Sequence, residues 1–219
     1  MQIGYLLFPN LTQLDLTGPL QVLSRLPGAT SHIIAKTAEP ICSDCGLSFL
    51  PTTTFEACPG LDLLVVPGGL GVAGAIRDPS TVAFIRNRAA NARYVTSVCT
   101  GAFLLGAAGL LRGRQATTHW AYHGLLPLVG ATPVRHRVVK DGPVITGAGV
   151  TAGLDFALTI VAELIDDDAA RAIQLAIEYD PAPPYHAGSP EHAGPVLTHR
   201  LELLYESRIN SFREALTAT

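Results

Sequence analysis

The chain has 219 residues, and its 18 acidic and 15 basic side chains leave a formal charge of −3. Apolar residues make up 48% and charged residues only 15%, against roughly 25% charged in an average domain. This excludes a disordered chain and a nucleic-acid binder that works through a broad basic face, and it predicts one large α/β domain with some surface buried in an oligomer.

In chain order, Ile3–Phe8 is a short apolar run ending at Pro9 and reads as a buried parallel strand. Asp15–Leu26 has helical spacing, with Pro19 near its start. His32–Ala35 is the next strand, and Leu47–Thr54 reads as a β-hairpin arm. Asp62–Val66 is a buried strand that runs into Pro67-Gly68-Gly69, followed by a helix over Pro79–Asn91. Arg93–Val98 is a strand and Thr100–Leu111 a helix. Ala116–Thr118, Arg137–Val139 and Val144–Thr146 are short strands; Thr151–Ile165 and Asp167–Tyr179 are helices. After the break at Asp180-Pro-Ala-Pro-Pro, a last helix runs from Pro195 to Leu216. Repeated strand-then-helix units predict an α/β fold: a flavodoxin-like three-layer sandwich, its mostly parallel sheet covered by helices on both faces. Residues 1–190 form one unit, with 191–219 a C-terminal helix laid on it or on a dimer partner. The longest apolar stretches, such as Ala102–Leu111, are too short to span a membrane. The start of the chain lacks the pattern of a signal peptide, so the expected location is cytoplasmic, with Cys42, Cys45, Cys58 and Cys99 reduced.

The segment richest in chemistry is Tyr94-Val-Thr-Ser-Val-Cys99-Thr100-Gly101. A buried strand ends at Cys99 and a helix begins within a residue, so the thiol sits at a sharp elbow beyond the carboxyl edge of the sheet. A helix N-terminus favours the thiolate, which is the nucleophile; the plainer alternative is a buried small residue. Asp15, and the loop of Gly68, Gly69 and Leu70, should reach the same edge. The glycine amides would form an anion hole or simply a tight turn; Asp15 taken alone is an ordinary helix cap. Cys42-Ser-Asp-Cys45 precedes the hairpin and has no second ligand pair, so neither a metal site nor a redox pair is expected. Cys58 reads as structural. His119 and Trp120 would line a pocket or, more simply, pack and hold a loop through ring hydrogen bonds.

Ser97-Val-Cys99-Thr100-Gly101, Pro67-Gly68-Gly69, Asp15-Leu-Thr-Gly18-Pro19 and Ala116-Thr-Thr-His119-Trp120 together resemble the ThiJ/PfpI superfamily, whose fold is flavodoxin-like and related to class I glutamine amidotransferases. Within it, the stretches Gln2–Pro9, Gln13–Pro19, Ala92–Gly101 and Pro181–Pro184, with Ala187–Pro190 after them, are similar to the isocyanide hydratase family. The resemblance implies that Cys99 is the nucleophile, Asp15 its hydrogen-bonded acid–base partner and Thr100 an orienting residue. Gly68, Gly69, Leu70 and Val150 would contact the substrate. Proteases of the superfamily carry histidine after the cysteine, where this chain has Thr100. In the loop Gly147–Val150, Ala148 stands where the resemblance leads one to expect glycine.

The implied activity is hydration of an isocyanide to an N-substituted formamide through a thioimidate on Cys99, with no cofactor or metal. Two negative charges do not comfortably share a dry pocket, so the expected pair is a Cys99 thiolate beside a protonated Asp15. The expected substrate is small and apolar, in an apolar pocket, and the expected assembly a homodimer without nucleic-acid or membrane partners. Two alternatives stay open: another cysteine enzyme of the same fold, acting on glyoxals, peptides or glycated groups, and a stand-alone small-molecule or redox sensor. A regulator is disfavoured, because too little chain follows Pro190 for a helix-turn-helix domain.

Overall fold

The computed structural model describes residues 1–218. Its elements in chain order begin with β1 (Gln2–Leu6), α1 (Gln13–Leu23), β2 (Thr30–Ala35), β3 (Ile41–Cys42), β4 (Ser48–Phe49), β5 (Thr53–Thr54) and β6 (Leu63–Val66). Next come α2 (Val72–Ile76), α3 (Pro79–Ala89), β7 (Tyr94–Val98), a 3₁₀ turn over Cys99–Gly101 and α4 (Ala102–Ala107). They are followed by β8 (Gln115–Ala116), a 3₁₀ segment over Trp120–Val129, β9 (Thr132–Pro133), β10 (Val138–Asp141) and β11 (Val144–Gly147). The last are α5 (Ala152–Leu164), α6 (Asp167–Ala176), α7 (Pro190–Ala193) and α8 (Pro195–Thr217).

One seven-stranded sheet in the order β10-β11-β7-β6-β1-β2-β5 organises these elements, and only β10 runs antiparallel to its neighbour. The predicted mostly parallel α/β sandwich is the observed fold. All four residues of β6 are buried, as are the last four of β1 and β7. This is why those segments read as continuous apolar runs without alternation: helices cover both faces. Helices α1, α5 and α6 pack on one another, and α2, α3 and α4 form a second group. Helix α8 lies against α2 and the Trp120–Val129 segment of the same chain. Its Phe212 ring sits 4.9 Å from that of Tyr122 and 5.7 Å from that of Phe103.

Three local readings change. The hairpin arm is formed by β3 and β4, paired Cys42 to Ser48, and Thr53–Thr54 instead extends the main sheet beside β2. Gly46, at φ 88°, makes that turn, so Cys42 and Cys45 lie within the hairpin rather than before it, both exposed and unpaired. The helix after the elbow stops at Ala107, and Gly109 at φ 81° follows its end, as left-handed glycines do at helix C-termini. Ala116 pairs with Pro133 in a separate two-stranded sheet, and Trp120–Val129, which shows no strand or α-helix pattern in sequence, winds as a 3₁₀ segment.

Gly101 is where α4 meets the end of β6. A Cβ there would lie 2.3 Å from the Val66 carbonyl oxygen and 2.7 Å from that of Pro67. Both obstacles are backbone, so Gly101→Ala is expected to destabilise the protein by about 1–3 kcal/mol in urea unfolding. Gly74, inside α2 with open space around its Cα, makes the control: Gly74→Ala should stabilise by about 0.5–1 kcal/mol. Equal midpoints for the two variants would contradict the packing described here.

Candidate active site

Four adjacent parallel strands, β11, β7, β6 and β1, end at the same edge of the sheet. Val66 pairs with Ser97 and Gly147 with Val98, so the loops after β6, β7 and β11 leave the sheet side by side. The loop after β1 joins them through the Leu11–Gly69 bridge and through the Thr12 N–H, which donates to the Gly68 carbonyl at 2.9 Å. These contacts bring Cys99, Asp15, Thr100, Gly68, Gly69 and Val150 to one place.

Cys99 has φ 57°, a left-handed backbone that ordinarily costs a non-glycine residue about 1–2 kcal/mol. Its N–H donates to the Ala148 carbonyl at 2.9 Å, and its own carbonyl accepts from the Thr118 hydroxyl at 2.7 Å. Cys99 is 6% exposed, and the N–H groups of Thr100 and Val150 face its buried thiol. Val150, at φ 21°, is held by the turn into α5, where the Gly153 N–H donates to its carbonyl at 3.1 Å. Ala148, the departure from the resemblance, serves through its backbone, its N–H donating to the Arg137 carbonyl at 2.9 Å.

Asp15 is not a helix cap. The cap position of α1 is Thr12, and the Asp15 side chain turns inward with no exposed surface. Its Oδ2 accepts from the Gly68 N–H at 2.9 Å, its Oδ1 has no hydrogen-bond partner among the described residues, and its charge is coupled to the Cys99 thiol. Burial pushes the Asp15 carboxyl up to about 7; the Gly68 N–H and Cys99 pull it down, and the charge of Asp44 on the hairpin adds to the rise. Asp44 itself accepts from the Thr12 hydroxyl at 2.6 Å. Burial raises the Cys99 thiol as well, and the neighbouring Asp15 charge raises it further, whereas the Thr100 and Val150 amides favour its thiolate. The two groups titrate as a pair that gives up one proton near neutrality and holds the second well above it.

The glycine loop works differently from an anion hole. The Gly68 N–H is spent on Asp15, and the Gly69 N–H donates to Thr100 Oγ1 at 2.9 Å. A Cβ on Gly68 would lie 2.5 Å from the Thr100 nitrogen, so glycine is what lets the loop close on the elbow. Leu70 does not join the site: it is 46% exposed where the chain turns into α2. The amides that face the thiol are those of Thr100 and Val150, a direction of N–H that sequence spacing does not reveal.

A cavity of about 740 Å³ adjoins the site and is lined on this side by Thr118, His119, Trp120, Gly149 and Val150. It is not the apolar pocket that the composition predicts, for Arg135, His136, Arg137 and Glu191 also line it. Arg137 is paired with Asp155 and Arg135 with Glu191. Among the described residues no imidazole is hydrogen-bonded to Cys99, and no cluster of three or more histidine, cysteine or acidic side chains is arranged to hold a metal ion. Among the described residues no helix is long and apolar enough to cross a membrane.

The profile of the DJ-1/PfpI family matches residues 1–163. An isonitrile hydratase from Pseudomonas putida is 58% identical over 193 residues, which cover 88% of this chain and 85% of that protein. The crystal structure of a ThiJ/PfpI family protein from Pseudomonas syringae superposes with a TM-score of 0.96 at 45% identity, covering 98% of this chain and 90% of that one. The HTH-type transcriptional regulator CdhR from Pseudomonas aeruginosa is 30% identical over 183 residues, 80% of this chain but only 52% of the regulator.

The raised Asp15 carboxyl has a consequence for stability. Between the ordinary aspartate value of about 4 and the native value of about 7, the folded protein binds more protons than the unfolded chain. This contribution is therefore fully present below pH 4 and is lost as pH rises through 7. The stability of the wild type relative to Asp15→Asn should fall across that window, by at most about 1.4 kcal/mol per pH unit. Urea unfolding of both proteins at pH 4.5, 5.5 and 6.5 reads this out; a constant difference would mean that Asp15 is ionised throughout.

Proposed function

The chain belongs to the DJ-1/PfpI family, and from that premise we infer that it hydrates isocyanides, turning R–N≡C and water into the N-substituted formamide R–NH–CHO. It is a cysteine-dependent hydro-lyase in this reading. The observation that carries the mechanism is the fully buried Asp15 carboxyl, raised to about 7 and electrostatically coupled to Cys99. The terminal carbon of an isocyanide is attacked by a nucleophile and then itself takes a proton. Hydration therefore needs a thiolate and an acid aimed at one atom.

The reacting form is the Cys99 thiolate, facing the Thr100 and Val150 amides, beside protonated Asp15. The sulfur adds to the terminal carbon and Asp15 delivers its proton to the same carbon, leaving the thioimidate R–N=CH–S–Cys99. Asp15, now a carboxylate in an apolar surrounding, is a base for the water that adds next. Collapse of the adduct releases the formamide and regenerates the thiolate. Thr100 acts through its hydroxyl, which anchors Gly69 and so keeps the Gly68 amide on Asp15. Water is the only co-reactant that this scheme requires. Superfamily hydrolases place an imidazole against the cysteine; here the carboxyl occupies that role, which favours the hydratase over a peptidase.

The active form is a homodimer in the cytoplasm in this proposal. Leu47 and Leu50 of the hairpin arm and Leu70 are exposed apolar groups, which supports burial of such surface against a second copy. Residues 1–190 carry the chemistry, and the C-terminal helix α8, with Phe212, Ala215 and Leu216 buried, packs on the Trp120–Val129 segment and on α2.

Purified protein is mixed with an alkyl or aryl isocyanide and formamide is followed by NMR. Cys99→Ala is expected to lose turnover by at least about 10³-fold. Asp15→Asn should be comparably slow while its Cys99 still reacts with iodoacetamide. Turnover near the wild-type rate in either variant removes that residue from the scheme, and no formamide from wild type across several isocyanides removes the reaction.

A further inference from the structure

The cavity beside the site carries charged side chains, and a small apolar substrate leaves them without a role. Gly149 and Val150 line it on the side of the thiol, and the Val150 N–H faces the sulfur. Thr151 is the next residue and lines the cavity as well. A group on the isocyanide nitrogen that extends from Cys99 along this wall comes to Thr151 and to what Thr151 holds.

Thr151 holds Arg137, whose Nη2 donates to Thr151 Oγ1 at 3.2 Å and whose Nε donates to Asp155 Oδ2 at 2.5 Å. Asp155 sits in the first turn of α5 and also accepts from the Tyr179 hydroxyl at 3.1 Å; Tyr179 bonds the same guanidinium. The head group is thus fixed by partners from α5 and from the chain that follows α6. A guanidinium carries five N–H donors. One bond each to Asp155, Thr151 and Tyr179 leaves two over, on a side chain that is half exposed and lines the cavity. They form a planar donor edge that is already positioned. Arg135, by contrast, meets Glu191 at 3.5 Å with both side chains mostly exposed, a contact too weak to hold either in place.

Charge decides between an anion and a neutral acceptor. Arg135 and Arg137 are matched on the cavity wall by Glu191 and Glu202, and Asp155 already pairs with Arg137. An anionic substituent would gain no net positive field there and would meet two carboxylates. We propose that the isocyanides this protein takes carry an uncharged amide on the nitrogen substituent, and that Arg137 sets this preference by donating to the amide oxygen. The inference rests on the hydratase reading, and it replaces the small apolar substrate expected from composition. Arg137 stands away from the reacting atoms and acts on specificity, through kcat/KM for one substituent against another.

N-propyl isocyanoacetamide and hexyl isocyanide have side chains of equal length, and isocyanoacetate supplies the charged comparison. Formamide production from each is measured as kcat/KM for wild type and Arg137→Met. Wild type is expected to prefer the amide over hexyl isocyanide by at least about tenfold, the worth of one hydrogen bond to a charged group. Arg137→Met should cut that preference to about threefold or less while hexyl isocyanide keeps its wild-type value within about threefold. A wild type without the preference overturns the proposal. So does a folded Arg137→Met that keeps the full preference, or that loses both substrates alike. Isocyanoacetate turned over faster than the amide overturns the uncharged class. Should Arg137→Met not fold, Arg137→Lys decides instead: it keeps a cation for Asp155 without the planar fork, and the preference should fall at least about threefold. An unchanged preference in that variant overturns the proposal. Absence of formamide from all three compounds with wild type is a separate outcome, which overturns the hydratase reading and this inference with it.

Discussion

The left-handed backbone of Cys99 is the constraint on which the site depends. Two hydrogen bonds hold it, from the Cys99 N–H to Ala148 and from Thr118 to the Cys99 carbonyl. Each is worth about 0.5–1.5 kcal/mol net, enough together to offset the strain of the elbow. They also tie β7 to the loop after β11 and to the segment before the 3₁₀ turn at Trp120. The strained residue is thus a meeting point for three stretches of chain, and every group that faces the thiol is placed relative to it. Gly68 and Gly101 belong to the same constraint, since a Cβ at either would drive the β6 loop off the elbow.

A second consequence is electrostatic. Asp15 and Cys99 lie where water does not reach, with two amides on the sulfur and one on the carboxyl. The site stabilises one negative charge well and a second poorly. The proton left over is the acid that an isocyanide carbon requires. Asp44 presses in the same direction from the hairpin, though it is too far along the chain for its influence to be read from spacing.

The elbow was legible in the sequence because its signal is local: a buried strand, a cysteine, then small residues that admit a tight turn. The parallel sheet was legible for the same kind of reason, through runs with no polar alternation. The rest depended on distant partners. Asp15 occupies the first turn of its helix, where capping is the ordinary role, and only the pairing of β1 with β6 reveals that it faces inward. The Gly68 and Gly69 amides were correctly sent to the sheet edge, but their direction is set by Asp15 and Thr100. Leu70 was sent there too, and its side chain is substantially exposed. His119 was read from the sequence as lining a pocket or holding a loop, and its ring both lines the cavity and accepts from the Ala121 N–H, a partner that the sequence did not single out. The hairpin was misplaced by a few residues because a two-residue strand such as Ile41–Cys42 is too short to show a period.

The small exposure of Cys99 sets a filter by shape. Cys42 and Cys45 stand open on the hairpin, whereas Cys99 is almost wholly buried. A branched or planar electrophile meets the hairpin thiols first. An isocyano group is a rod two atoms long with its reactive carbon at the tip, narrower than a carbonyl flanked by two substituents. For a residue so little exposed, the cross-section of an electrophile bears on its access to Cys99 alongside its reactivity.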